Sequence, residues 1–359
     1  MRSLNMKKDD GEKKQLIYGS SSKEPRSNKR KISESTVIDK NQLKVAQATS
    51  KKLKTSKGKS TEPNFPTLKT RMTPKGIFDF INNNLSERQI SDIQEMGFEG
   101  ILKLKTDKVP GQLAYWLVKK FNPFDSSLMG GQLKIRDEDI HLAIGIPNGK
   151  KVVVQASKKD ESDEYRQSLS RWQSQFNGSM ITKNDVLSRM TDQKEGGDDF
   201  KRNFIVYIVC TFLAGVKGVT PSLRVLKCLD DVTIIPELNW CRFTREAMVN
   251  NTIKWQKECE KGAQEKLFKG PIMILVFIYL DRVVFKLRSV PRTFPTLSTW
   301  SKVEIGKRIF DEKKEAGNFG YGLVDSPLVK ENLIDVGAGV DRATNDSGVN
   351  DGGESWCWC

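Results

Sequence analysis

The chain has 359 residues and a formal net charge of +15, and 37% of its residues are hydrophobic. Residues 1–60 hold 17 Lys and Arg against 6 Asp and Glu, so this segment carries +11 of the +15. A basic segment with Tyr18 as its only aromatic residue cannot bury enough apolar surface to fold, which predicts a disordered tail over 1–65 and excludes a strongly basic folded face as the source of the charge.

Two basic clusters lie in this tail, about twenty residues apart, and suit either recognition by an importin or contact with phosphate groups. The candidate contact residues are Arg26, Lys29, Arg30, Lys31, Lys51, Lys52 and Lys54. The alternative is a solvated basic tail with no specific reader. No apolar run follows the charged first residues, so the sequence predicts no signal peptide.

Ordered structure is predicted to begin near Pro66. Ser86 followed by Gln89 is the pattern of a capping box, with apolar residues at helical spacing behind it and Gly97 at the end. A second helix is predicted over residues 113–121, because Leu, Trp, Leu and Phe recur there on one helical face. Asn122-Pro123 stops that helix.

Next comes a predicted strand–helix–strand unit with a small two-stranded sheet. Residues 132–135 alternate like a short strand, and Asp137 can cap a helix that Gly145 closes. A turn at residues 147–149 then leads into a second strand at residues 152–154, which we expect to pair with the first.

Further helices are predicted to start at Thr182 with Asp185 and to cover residues 204–213, 243–259 and 272–285. Residues 157–171 are predicted to be exposed, and residues 191–202 are predicted to form a loop. The longest apolar runs, 204–216 and 272–280, are shorter than the roughly 20 residues that cross a membrane, so both are interpreted as buried core helices. The expected fold class is mainly α: one helical domain over 66–316 with a small two-stranded sheet, flanked by disordered tails at 1–65 and 317–359.

Chemical motifs point away from catalysis. His141 is the chain's one histidine, and its place beside apolar residues on a predicted helix favours packing over general-base chemistry. Cys357 and Cys359 form the only close cysteine pair, without the further ligands that a zinc site needs. Asp281-Arg282 after an apolar run predicts an ion pair that anchors its helix to another. We therefore predict no enzyme activity, no catalytic, cofactor-binding or metal site, and no cofactor.

Several motifs together resemble a known family. They are GQLAYWLV at 111–118, FNP at 121–123, LKI at 133–135, EDIHLAIGIPNG at 138–149, RNF at 202–204, NWC at 239–241, GP at 270–271 and YLDRVVF at 279–285. Over roughly residues 75–320 the chain is similar to the aminotransferase-like plant mobile domain proteins. The resemblance implies a plant, transposon-derived nuclear protein with a largely helical domain, which in relatives often lies N-terminal to a SUMO-protease-like cysteine peptidase domain. Residues after 320 do not resemble that peptidase, and no lysine stands in the setting of a cofactor aldimine.

The function expected from the sequence is a non-catalytic nuclear interaction module of transposon origin. Its basic tail would supply import through an importin and weak, non-specific nucleic-acid contact, and its domain would bind an unknown nuclear protein or chromatin partner. The alternative is the N-terminal targeting region of a SUMO-protease-like cysteine peptidase whose catalytic domain is absent from this chain. A cryptic enzyme is the third hypothesis. No membrane partner is expected.

Overall fold

A computed structural model describes residues 66–83, 85–157, 159–160, 162–178, 180–215, 218–262 and 266–328. Every described residue lies in one compact unit of the chain. The predicted disordered tail at 1–65, and the predicted C-terminal tail from residue 329 onward, lie outside the described residues.

The described chain is mainly helical, which confirms the predicted fold class. Its α-helices, in chain order, are α1 (Lys75–Asn83), α2 (Glu87–Glu95), α3 (Gly111–Lys120), α4 (Asp137–Ile144), α5 (Asp163–Gln173), α6 (Lys183–Asp192), α7 (Asp198–Ile208), α8 (Trp240–Glu260), α9 (Ile272–Arg282) and α10 (Lys302–Ala316). Short 3₁₀ turns join several of them.

Side-chain caps start two of these helices where the sequence predicts. The Ser86 hydroxyl accepts a hydrogen bond from the Gln89 backbone N–H, and the Gln89 side chain accepts from the Ser86 backbone N–H at 3.0 Å. Thr182 and Asp185 form the same reciprocal pair at the start of α6. Each pair satisfies two backbone donors that a helix start would otherwise leave unbonded.

Two of the most buried helices in the core are α7 and α9. Every residue from Ile272 to Asp281 is buried, and α9 packs against α3 and α4, while α7 packs against α6. The predicted burial is confirmed for the run 272–280 and for residues 204–213 of the other run, whereas Ala214 and Gly215 are half-buried. Among the residues that the structure describes, no helix is both long enough and apolar enough to span a bilayer.

The predicted sheet pairs differently from the prediction. β2 (Leu133–Lys134) pairs antiparallel with β1 (Ser127–Leu128), not with residues 152–154. Val152 and Val154 are more than half exposed, and their neighbour Lys151 makes a single bridge to Leu238. The prediction of this second strand was wrong because a hairpin closed within a few residues costs less loop entropy than a partner beyond a helix.

Two helices begin in segments where the sequence predicts none. α5 overlaps the stretch 157–171, where most of its residues are exposed as predicted, and it buries Trp172 just beyond that stretch. α7 begins at Asp198 inside the predicted loop 191–202, because Asp198 and Asp199 both pair with the buried Arg202 one turn later. Arg202 also donates to the carbonyl oxygens of Leu229 and Asp230, at 2.9 and 2.8 Å.

The described chain continues past the predicted domain boundary at residue 316. β4 (Leu323–Val324) pairs antiparallel with β3 (Val283–Val284), directly after α9. Beside this ladder, Arg282 at the end of α9 pairs with Asp139 of α4, and Asp281 pairs with Arg292 at 2.5 Å. The predicted anchoring ion pair at Asp281-Arg282 is therefore confirmed, and each of the two charges has its own partner.

Candidate functional site

The site residues named from the sequence cannot be located in this fold. Arg26, Lys29, Arg30, Lys31, Lys51, Lys52 and Lys54 all lie outside the described residues, as do Cys357 and Cys359. The candidate site that the structure itself presents lies on the helical domain, beside the C-terminal end of α7.

Directly after α7 the helix continues in another form. Val209–Leu213 forms a π-helical turn, in which the Ala214 and Gly215 backbone N–H groups both donate to the Val209 carbonyl, at 2.9 and 3.2 Å. π-turns are rare and occur frequently at functional sites. Gly215 follows with φ +68°, and a Cβ there would lie 1.9 Å from the Lys269 carbonyl oxygen. A residue other than glycine would therefore force the two chain segments apart.

An open groove of about 800 Å³ lies between this π-turn and α8. The apolar side chains that line it are all buried or half-buried, and we call them its floor: Val153, Val209, Ala214, Phe243, Ala247, Trp255 and Leu267. The polar side chains that line it, which we call its rim, are Gln155, Thr220, Ser222, Arg224, Glu246, Asn250, Asn251, Lys254, Glu258 and Lys269. We call this the α8 groove.

Internal hydrogen bonds fix several of the rim residues. Arg224 Nε donates to the Ala156 carbonyl at 2.5 Å, and Glu246 accepts from Arg242 Nε at 2.8 Å. The Ser222 backbone N–H donates to Cys210 Sγ at 3.2 Å, which ties the rim loop to the π-turn. Burial raises the pKa of the Cys210 thiol to about 11, so the thiol stays protonated at neutral pH.

Trp255 separates the α8 groove from a second groove of about 740 Å³ on the other side of the helix. The indole is nearly buried, and its Nε1–H donates to the Lys266 carbonyl at 3.1 Å. Tyr115 of α3 packs against it edge-to-face, with ring centroids 5.7 Å apart. These contacts hold Trp255 rigid as a shared wall of both grooves.

The other chemical candidates have structural partners. His141 Nδ1 lies 2.7 Å from the Ile146 carbonyl, and its ring packs against Phe294. Of the four described cysteines, all free, Cys210, Cys228 and Cys241 are buried. Within the described ranges, no group of three or more His, Cys, Asp or Glu side chains is placed to hold a metal ion.

Sequence reasoning missed the α8 groove. On α8 the sequence shows an apolar stripe with Lys and Glu opposite it, and that polar face looks like any solvated face. Asn250 and Lys254 belong to a groove only because the loops at 218–224 and 267–269 fold against them. The one local signal was the glycine at 215, directly after an apolar helix.

The α8 groove lies within the part of the chain that matches a family model. The model of a domain of unknown function, DUF8566, matches residues 70–276, more than half of the chain. That range includes every residue that lines the groove and excludes α10. No curated protein matches the chain. No solved structure matches it either. Since the match spans more than half of its length, the chain belongs to the DUF8566 family.

Proposed function

We propose that this protein is a non-catalytic nuclear interaction module whose domain binds an extended segment of a partner protein in the α8 groove. The single observation that supports the proposal is one open groove that combines an apolar floor with a rim of amides and of charges of both signs. In sites of this kind an apolar floor supplies the affinity, and a few fixed polar groups supply orientation.

The rim chemistry favours a protein segment over a nucleic acid. Arg224, Lys254 and Lys269 line the groove together with Glu246 and Glu258. Acidic side chains beside a phosphate backbone oppose binding, whereas a protein segment carries charges of both signs and can match them.

Side-chain amides add a second argument. Asn250, which is exposed, and Gln155, which is half-buried, both line the groove, and each amide can donate and accept at once. A peptide backbone presents one donor and one acceptor per residue, which is the pattern that such amides satisfy. Side chains of the bound segment would then enter the apolar floor beside Phe243.

The basic segment supplies the second half of the proposed function. Residues 1–60 carry +11, and we propose that an importin reads the cluster around Lys29, Arg30 and Lys31, while the total charge supports weak binding to nucleic acid. The resemblance to the plant mobile domain family, and the transposon origin that it implies, stay predictions.

A peptide selection tests the groove. Peptides enriched from a random display library on the full chain would be measured by fluorescence anisotropy against Lys254→Glu and Lys257→Glu. Both lysines are exposed on α8, but Lys257 does not line the groove, so the pair makes the same charge change inside and outside it. We expect Lys254→Glu to weaken binding by about tenfold, or 1.4 kcal/mol, and Lys257→Glu to leave it unchanged. Equal affinity in the two variants, or selection of no peptide, would contradict the proposal.

A further inference from the structure

Helix α10 carries apolar side chains on the face that points away from the domain. Its inner face packs through Ile305, Arg308 and Glu312, which are all buried. On the opposite face Val303 is 74% exposed and Phe310 is 57% exposed. The two lie seven residues apart, two turns along the same side of the helix.

Gly306 lies between Val303 and Phe310, and the packing of the domain does not explain why this position is a glycine. Gly306 lies in the middle of α10, where glycine is among the least favourable residues. A Cβ at position 306 would meet nothing within 4 Å, so no contact among the described residues requires a residue without a side chain there. Val303, Gly306 and Phe310 therefore form a shallow seat, which we call the α10 seat, with room for a bulky side chain over the glycine.

Lysines flank the α10 seat on both sides. At 100° per residue, Lys302 lies on one side of the stripe and Lys307 and Lys314 lie on the other, and all three are exposed. The ammonium group of Lys314 lies 5.6 Å from the centre of the Phe310 ring. A ligand that fits this surface brings negative charge together with a large apolar group.

We propose that the chain's own C-terminal segment, residues 343–359, docks on the α10 seat through Trp356 or Trp358. This segment holds Asp346, Asp351 and Glu354 and contains no Lys or Arg. The segment therefore supplies both the negative charge and the large apolar side chain that fit the α10 seat. A second copy of α10 fits less well, because a symmetric contact would bring lysines against lysines.

Chain length allows the contact. Gly320 bonds to Glu312 of α10 at 2.9 Å, so the chain leaves the helix close to its C-terminal end. The 22 residues between residue 328 and Asp351 span up to about 75 Å when extended, whereas α10 is about 22 Å long. Attachment to the same chain also gives the segment a high effective concentration at the seat.

Carbodiimide cross-linking of the full chain tests this inference, because the reagent joins a lysine amine directly to a carboxylate in contact with it. An equimolar mixture of ¹⁴N and ¹⁵N chains separates links within one chain from links between two. The contact between Lys201 and Glu95, at 2.7 Å, is the internal positive control. We expect links from Lys307 or Lys314 to Asp351 or Glu354 within one chain.

Two substitutions should remove these links without unfolding the domain. Gly306→Leu fills the seat and replaces glycine by a better helix former in open space. Phe310→Ser removes one wall of the seat, and Leu287→Ser is its control, since Leu287 is 86% exposed outside the seat. We expect the link yield to fall about fivefold or more in both seat variants and to stay within about twofold in the control.

Three outcomes would overturn the inference. The first is the absence of these links while the Lys201–Glu95 link forms. The second is links of which about half join a ¹⁴N to a ¹⁵N chain, the share that random pairing of two chains gives, which would make a second copy the occupant. The third is an unchanged yield in Gly306→Leu. None of these results bears on the α8 groove, which shares no residue with the α10 seat.

Discussion

Replacement of Glu312 by alanine should destabilise the domain strongly. Arg308 and Glu312 are an ion pair within α10, 6% and 1% exposed. Glu312 Oε1 also accepts from the Tyr279 hydroxyl at 2.6 Å and from the Gly320 backbone N–H at 2.9 Å. Without the carboxylate, Arg308 keeps one bond from its other terminal nitrogen to the Val283 carbonyl, at 3.1 Å. A buried charge that loses its partner costs about 3–5 kcal/mol.

Thermal and urea unfolding would measure this loss. At about 2–4 °C per kcal/mol for a domain of this size, the melting temperature should fall by about 6–20 °C. Glu304→Ala is the matched control, because Glu304 lies on the same helix but is only half-buried, and its cost should stay near 0.5 kcal/mol. The double variant Arg308→Met/Glu312→Leu should recover most of the stability, since it leaves no buried charge. A Glu312→Ala protein that melts within about 2 °C of the parent would refute the reasoning.

Three further results are expected. Leu275→Asp should lower the free energy of unfolding in urea by several kcal/mol, because Leu275 is 1% exposed. Val303→Asp on the outer face of α10 should lower it by less than about 0.5 kcal/mol. Equal losses in the two variants would contradict the assigned core. At pH 8 the buried Cys210 should react with a thiol reagent far more slowly than the half-buried Cys259, and rapid labelling of Cys210 in the native protein would argue against its burial. Burial raises the pKa of the Cys210 thiol to about 11 in the folded protein, above its unfolded value. The contribution of this thiol to stability should therefore be lost as the pH rises from about 9 to about 11. If the basic segment supplies the DNA affinity, that affinity should fall by roughly three to four decades between 50 and 200 mM salt. Removal of residues 1–62 should abolish DNA binding. Binding that survives this truncation would place the nucleic-acid surface on the domain.

Local sequence chemistry predicted much of the helical architecture. The capping boxes at Ser86 and Thr182 act between residues three apart, so they are readable without any tertiary information. Gly145 ends α4 in the left-handed conformation that glycine adopts readily. Long apolar runs likewise predicted that α9 and the C-terminal half of α7 are buried, because an all-apolar helical segment too short to cross a bilayer belongs in a core.

Pairings between distant segments were beyond the sequence. Residues 152–154 have the β-branched composition of a strand, yet β2 pairs with β1, which is nearer to it along the chain. Trp172 gives α5 a buried side because its indole N–H donates to Asn203 of α7 at 2.7 Å. A Trp in a polar stretch does not reveal such a partner, since the partner is 31 positions away along the chain.

By itself, the sequence determined the helical class and several of the helix ends, because those features depend on neighbours within a few residues and on composition. Tertiary structure alone decided the positions of the two surfaces proposed to bind. The α8 groove exists where the π-turn and the segments 153–155, 218–224 and 267–269 meet α8. The α10 seat exists because Arg308 and Glu312 turn the other face of the helix inward. Polar residues on a helix look alike in sequence, and only packing decides which of them meet solvent and which line a groove.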